Sequence, residues 1–251
     1  MFTDTHVHLN HDTFTETLDD TIERARSERV MRMIVVGFSP EMNERAASIA
    51  SREGVHASAG IHPTIAHEVD ETAFTYLEAF LPEAVAIGEC GLDFYHDKTH
   101  MEEQIDVFER QVRLAKTYDL PLIIHMRDAA EKTFETLEKH APLRGVMHCY
   151  SGSPEMAERF LSLGLHISLG GPVTFKNAKT PKEVAAMLPI DRLLIETDAP
   201  FLAPHPYRGK RNEPSYLPLV AEGVAEARGD SLGLIEEKTT ENAARLFALK
   251  G

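Results

Sequence analysis

The feature that most constrains the fold is a regular alternation of short apolar runs with longer amphipathic stretches along the 251 residues. The apolar runs are dense in Val, Ile, Leu and Ala without a polar alternation, which is typical of parallel strands covered on both faces. Eight runs are predicted as strands: Met1–Val7, Met33–Phe38, His56–Ile61, Ala84–Leu92, Leu120–His125, Gly145–Tyr150, His166–Gly170 and Leu193–Thr197.

The stretches between and after these runs have the periodicity of amphipathic helices. The predicted helices are Thr15–Arg26, Pro40–Arg52, Met101–Tyr118, Ala129–His140, Pro154–Leu163, Pro181–Leu188, Tyr216–Ala227 and Leu234–Ala248. Pro154 and Pro181 are expected in the first turns of their helices, where the missing N–H of proline leaves no hydrogen bond unmade. Strands alternating with helices predict an α/β fold, a (β/α)8 TIM barrel, as a single domain over residues 1–251. An open doubly wound sheet is the structural alternative.

The net charge of −14, from 26 basic and 40 acidic residues, limits the class of ligand. Binders of duplex DNA or of membrane surfaces usually present a basic face, although bound cations can supply positive charge instead. No run approaches the ~20 apolar residues of a membrane span, and the N-terminus lacks the basic and apolar regions of a signal peptide. Cys90 and Cys149 make no disulfide framework, so we expect a reducing cytoplasm.

Histidines and carboxylates stand at the ends of several predicted strands, and in a (β/α)8 barrel these ends form the active-site face. His6 and His8 are two residues apart, so both side chains point to one side of the first strand. A lone histidine on a strand is usually a packing residue, but six such groups exceed the needs of one catalytic zinc and suit a two-metal site. The predicted ligands are His6, His8, Glu89, His125, His148 and Asp198.

Residues next to these positions are expected to have supporting or structural roles. Glu196 lies one layer deeper than Asp198 and is expected to orient a ligand. Cys90 and Cys149 each follow a predicted ligand, so both are expected to point away from the mouth as small buried residues. Tyr95 either covers the substrate or simply packs. The remaining histidines are predicted to be surface or packing residues: His11, His56, His67, His96, His100, His140, His166 and His205.

The segment after the eighth predicted strand carries Arg208, Lys210 and Arg211 within four residues and four prolines between positions 200 and 214. A rigid basic loop at the mouth of an acidic protein favours an anionic ligand. Lys176, after the seventh strand, stands where phosphate sites form in these barrels. The alternative is that these cations make ion pairs with neighbouring helices.

Eight strings of this sequence, in order along the whole chain, together resemble the TatD family of metal-dependent hydrolases, whose members are described as divalent-metal-dependent DNases. The matching strings are Asp4–Leu9, Gly60–Pro63, Ala86–Tyr95, Leu122–Ala129, His148–Gly152, Val173–Ala178, Glu196–Pro200 and Arg208–Pro214. Within the second string, His62 is predicted to contact the substrate.

The resemblance implies how the six ligands divide between two metal ions and what they act on. One ion would be held by His6, His8 and Asp198, the other by His125 and His148, and Glu89 would be shared. The resemblance also implies digestion of single-stranded DNA ends in the 3′→5′ direction.

We therefore expect phosphodiester hydrolysis with two divalent ions, Mg²⁺, Mn²⁺ or Zn²⁺. Asp198 is expected to accept the proton of the attacking water, and Glu89 to join the two ions. An amidohydrolase-type enzyme acting on a cyclic amide, lactone or small ester would use nearly the same ligands and is the first alternative. A non-catalytic protein that keeps the fold is the second, although none of the predicted ligands is missing.

Overall fold

The computed structural model of the chain describes residues 1–249. Eight strands pair only in parallel, in a three-stranded sheet of order β1-β2-β3 and a five-stranded sheet of order β4-β5-β6-β7-β8. The strands are β1 Phe2–Val7, β2 Val30–Val36, β3 Val55–Ser58, β4 Ile87–Asp93, β5 Leu122–Arg127, β6 Gly145–Met147, β7 His166–Leu169 and β8 Leu193–Ile195.

Backbone hydrogen bonds join the two sheets at both of their edges. Between β3 and β4, the N–H of Gly88 donates to the carbonyl of Ala59 at 2.9 Å. Between the end of β8 and β1, the N–H of Asp198 donates to the carbonyl of His6, also at 2.9 Å. The order of neighbours therefore runs from β1 to β8 and back to β1, as in a (β/α)8 barrel.

Helices follow the strands along the chain. The α-helices are α1 Leu18–Ser27, α2 Pro40–Ile49, α3 Glu71–Phe80, α4 Met101–Thr117, α5 Ala130–Glu138, α6 Pro154–Ser162, α7 Lys179–Met187, α8 Leu217–Arg228 and α9 Leu232–Leu246. Short 3-10 helices are Asp12–Thr17, Pro63–Glu68, Gly171–Thr174, Ile190–Arg192 and Pro214–Tyr216. Across residues 1–249, no helix has the length and apolarity needed to span a bilayer.

Helix α3 is absent from the sequence prediction, which placed no helix between the third and fourth strands. Its segment is rich in Thr and aromatic residues, which have only moderate helix propensity. The Asp70 carboxylate caps the helix by accepting the Ala73 N–H at 3.1 Å, and burial of Phe74 and Leu77 fixes it against the barrel. Tertiary packing thus outweighs weak local propensity.

The two faces of each strand pack into different cores. On β2, Met33 and Val35 belong to the large core shared with the surrounding helices. Ile34 belongs to a second cluster that also contains Phe247, just after α9. Because successive side chains of a strand point to opposite faces, burial on both faces explains the apolar runs without polar alternation.

His166, at the start of β7, is buried with neither ring nitrogen hydrogen-bonded. Burial, aided by the charges of Arg192 and Arg245, lowers its pKa to about 4. Below about pH 6.5 the imidazole binds a proton in the unfolded chain but not in the native state. The free energy of unfolding therefore decreases as pH falls from about 6.5 towards 4.

We expect the His166 term to remove about 2 kcal/mol of unfolding free energy between pH 7 and pH 4.5. The variant His166→Gln cannot titrate and should lose correspondingly less stability over this range. Urea unfolding of both proteins at the two pH values measures the difference. Equal losses in the two proteins would refute the assignment.

Candidate metal centre

His6 and His8 lie side by side at the carboxyl end of β1. Both are buried, and their Nε2 atoms are 3.1 Å apart. Val7, between them, packs into the large core. The Nδ1 atoms of both histidines have no hydrogen-bond partner. The alternation of the strand therefore presents two imidazoles to one point, as the two-residue spacing predicts.

Asp198 reaches the same point from the segment after β8. Its φ of +55° is in the left-handed region, which non-glycine residues rarely adopt. Two main-chain hydrogen bonds hold this turn against β1, one from Asp198 to His6 and one from His8 to the Ala199 carbonyl at 2.8 Å. Asp198 Oδ1 consequently lies 3.6 Å from His6 Nε2 and 3.4 Å from His8 Nε2.

Glu89, on β4, stands between two groups of imidazoles. Its Oε2 is 3.5 Å from His6 Nε2 and 3.7 Å from His8 Nε2. Its Oε1 is 2.9 Å from both His125 Nδ1 and His148 Nε2. The two oxygens of one buried carboxylate thus face two separate sets of nitrogen donors.

Carboxylates behind His125 and His148 orient the second set. His125 Nε2 is 3.1 Å from Asp93 Oδ2, and His148 Nδ1 is 3.3 Å from Glu196 Oε1. Each histidine therefore turns its other nitrogen towards Glu89, and these two nitrogens are 3.4 Å apart. Metal-binding histidines commonly have such a partner on the far ring nitrogen. Glu196 occupies the deeper, orienting position that its spacing predicts.

The charges of the site favour a cation. Burial raises the pKa of Glu89, but His148, His62 and His125 outweigh it and hold that pKa well below its ordinary value. Burial also raises the pKa of Asp198, but the hydrogen bond with His8 together with the charges of His6, His8 and His148 outweighs burial and lowers that pKa below its ordinary value. Within residues 1–249, the ion pairs of both carboxylates involve only histidine. Imidazole and carboxylate donors without Lys or Arg fit divalent metal ions.

Two cavities open onto this centre and share His125, Arg127, His148, Asp198 and Leu202 in their walls. The larger has a volume of about 590 Å³ and the smaller about 330 Å³. Both volumes are in the range of ~300–1,000 Å³ that small-ligand sites occupy. Arg127 supplies a cation to both cavities and was missed by the sequence analysis. Its position two residues after His125 on β5 is the signal that could have found it.

The residues predicted to contact substrate are spread from the cavity wall to the rim. His62 lines the larger cavity, with its Nε2 3.5 Å from Glu89 Oε1. Tyr95 is exposed and stacks under the Arg127 guanidinium, 4.0 Å from the ring centre. Neither residue is an established substrate contact, and both remain predictions.

The predicted basic residues lie outside the walls of both cavities. Lys176 and Lys210 are exposed. Arg208 stacks on Phe175 at 4.4 Å, and Arg211 donates to the Thr13 carbonyl at 2.9 Å. These cations thus belong to the outer rim, and their contact with an extended ligand stays a prediction.

The prediction for Cys149 was wrong. The residue is only partly buried and lines the smaller cavity. Strand β6 ends at Met147, and Cys149 has a φ of +42°, so the two-residue alternation of a strand does not reach it. Cys90 lies within β4 and is fully buried as expected.

Two histidines assigned to surface or packing roles line the larger cavity instead. His11 lies in its wall. His96 also lines it and forms a 2.7 Å contact from Nδ1 to Asp93 Oδ2, the same oxygen that holds His125. Both were missed because they lie in loops, where sequence spacing gives no direction for a side chain.

Comparison with known proteins decides the family. The family model described as TatD related DNase matches residues 3–248. The chain belongs to this family. An uncharacterized metal-dependent hydrolase of Bacillus subtilis (strain 168), YabD, is 45% identical over 254 residues, covering 99% of this chain and 100% of the relative. The chain is therefore a metal-dependent hydrolase, and the predicted family is confirmed.

Two further members of the TatD-related family extend the comparison. A Cronobacter sakazakii protein named 3′-5′ ssDNA/RNA exonuclease TatD is 39% identical over 247 residues, covering 93% of each chain. The crystal structure of YjjV, a TatD homolog from Escherichia coli K12, superposes with a TM-score of 0.94 at 32% identity, covering 99% of this chain and 98% of that one. The predicted (β/α)8 fold is confirmed by this likeness.

Proposed function

We propose that this TatD-family hydrolase cleaves phosphodiester bonds with two divalent metal ions and removes nucleotides from the 3′ ends of single-stranded DNA. The observation that carries the proposal is the position of Glu89, whose two oxygens face two sets of imidazole donors. His6, His8 and Asp198 would hold one ion, His125 and His148 the other, and Glu89 both. Mg²⁺, Mn²⁺ and Zn²⁺ are the candidate ions.

When bound, two such ions lower the pKa of a water molecule and take up the charge that develops on the phosphoryl oxygens. Asp198 would accept the proton of the attacking water, since its lowered pKa keeps it ionised and it lines both cavities. Arg127 offers the guanidinium that binds a phosphate oxygen in either cavity. Asp93 and Glu196 keep His125 and His148 in the orientation that metal binding requires.

The shape of the site favours the end of a single-stranded DNA molecule as substrate. Metal-centre residues line cavities of about 330 and 590 Å³, a size typical of small-ligand sites, which suits a terminal nucleotide better than a paired duplex. Among relatives, the Cronobacter sakazakii protein carries an exonuclease name. Bound cations also reverse the local sign of a chain whose net charge is −14, which lets a polyanion approach.

The test is digestion of single-stranded DNA labelled at either end, with metal-reconstituted protein. A 3′→5′ exonuclease releases the 3′ label at once as a mononucleotide and shortens the 5′-labelled strand stepwise. A chelator should stop both reactions. Intact DNA together with hydrolysis of a lactone or cyclic amide would refute the proposal and favour the amidohydrolase-type alternative.

The rim cations give a separate prediction. Replacing Arg208, Lys210 or Arg211 with Ala should mainly raise KM for single-stranded DNA, because a phosphate contact made in both ground and transition states contributes to binding alone. Each lost contact should lower the salt slope of binding by about 0.7. Arg144→Ala is the matched control. Arg144 is an exposed arginine that pairs with Asp119, a residue of the loop between α4 and β5.

A small substrate, bis-p-nitrophenyl phosphate, distinguishes the rim from the centre. It reaches the metal ions without crossing the rim, so its turnover should stay unchanged in the three variants. Equal losses on the small and the long substrate would show that the loop supports the centre instead. Unchanged KM for DNA in all three would refute a substrate contact.

A further inference from the structure

A second group of metal-binding side chains lies apart from the centre, on two loops at the carboxyl ends of the strands. His67 is near the end of the 3-10 helix Pro63–Glu68, which follows β3. Asp97 and His100 lie in the loop between β4 and α4. One donor atom from each of the three residues falls within 4.8 Å of the other two. None of the three takes part in the proposed hydrolysis.

The loop holds Asp97 and His100 in place before any ligand binds. Asp97 Oδ1 accepts hydrogen bonds from the N–H and the hydroxyl of Thr99, both at 2.7 Å. Asp97 Oδ2 lies 2.7 Å from His100 Nδ1. The hydrogen-bonded carboxylate and imidazole therefore already direct their donor atoms towards each other, and a metal ion can replace the proton between them.

His67 completes the group from the other loop. Its ring stacks on that of His100, with centroids 4.4 Å apart and planes 17° from parallel. Its Nε2 is 3.5 Å from the carboxylate of Glu68, which provides a further oxygen nearby. The His67 and His100 side chains are 35% and 39% exposed, so they are free to rotate. Small rotations would bring the donor atoms, which lie within 4.8 Å of one another, to the ~3.3 Å that separates the ligands of a tetrahedral zinc with bonds of ~2.0–2.1 Å.

We propose that His67, Asp97 and His100 form a separate rim site for Zn²⁺ or a similar imidazole-binding transition-metal ion. Two imidazoles and one carboxylate suit such ions, whereas Mg²⁺ prefers oxygen ligands and retains its waters. The site joins the loop that carries His62 to the loop that carries Tyr95 and His96. A bound ion therefore fixes these two walls of the mouth relative to each other.

The test counts zinc in the untagged full-length protein after chelation and equilibrium dialysis against buffered Zn²⁺. Wild-type protein should hold one more zinc ion per chain than either His67→Ala or His100→Ala. His205→Ala, which removes an exposed histidine from another rim loop, should hold as many as wild type. Because His67 itself is exposed, its variant is expected to fold even if His100→Ala does not. Equal zinc content in wild type and His67→Ala would overturn the proposal.

A second variant distinguishes zinc bound at the rim site from zinc bound at the metal centre. The double variant Glu89→Gln/Asp198→Asn removes carboxylates of the centre and should still hold one zinc ion that His67→Ala abolishes. Trypsin provides an independent readout, since Lys98 is exposed between the two loop ligands. Zn²⁺ should slow cleavage after Lys98 in wild type and leave it unchanged in His67→Ala. Unaltered cleavage in wild type at saturating Zn²⁺ would contradict the joining of the loops.

Discussion

Replacing Asp198 with Asn is expected to lower kcat on single-stranded DNA by about 10²–10³, the contribution of one general base. Asn keeps the shape of the side chain but neither accepts the proton of water nor supplies a negative charge to the metal. The turn should survive, because its hydrogen bonds to β1 come from the main chain. Steady-state kinetics, with metal content measured on the same samples, tests this expectation.

Asp119→Asn is the matched control for that substitution. Asp119 is also an aspartate with positive φ, +52° against +55° for Asp198, but it lies in the loop between α4 and β5. Its variant should keep wild-type kinetics, which separates loss of the carboxylate from any strain of Asn in this conformation. Near-wild-type turnover of Asp198→Asn with normal metal content would remove Asp198 from the role of base.

Glu89→Gln is expected to have the largest effect, a loss of about 10³ or more in kcat/KM. An amide offers one weakly binding oxygen and no charge, so it cannot bind both of the metal ions that the two groups of imidazoles would hold. Metal content should fall together with activity. Glu83→Gln, an exposed glutamate just before β4, is the control. Full metal content and activity in Glu89→Gln would exclude a shared carboxylate.

The sequence was most informative where a residue lies inside a regular strand. His6 and Glu89 lie inside β1 and β4, and His8 directly follows β1, so strand alternation and the strand-end rule predicted both the direction and the position of their side chains. Asp198 follows the end of β8. Its place beside β1 depends on hydrogen bonds between residues far apart in the chain, and the prediction identified it by residue type and family resemblance.

The same reasoning failed where strands ended early or loops took over. Cys149 escaped the alternation because β6 stops two residues before it. The grouping of His67 with His100 joins loops more than thirty positions apart, and no local pattern encodes such a contact. Helix α3 formed because Phe74 and Leu77 are buried, although its intrinsic propensity is weak. For α3, tertiary packing thus outweighed a weak local signal.

The metal content of the His67→Ala variant tests the central claim most directly, because this variant lacks the proposed rim site and leaves only the centre. Protein reconstituted with Zn²⁺, freed of excess metal and measured by elemental analysis should contain two ions per chain. The same preparation carrying Glu89→Gln should contain fewer. A maximum of one ion per chain in His67→Ala, at saturating metal, would contradict the two-metal centre around Glu89.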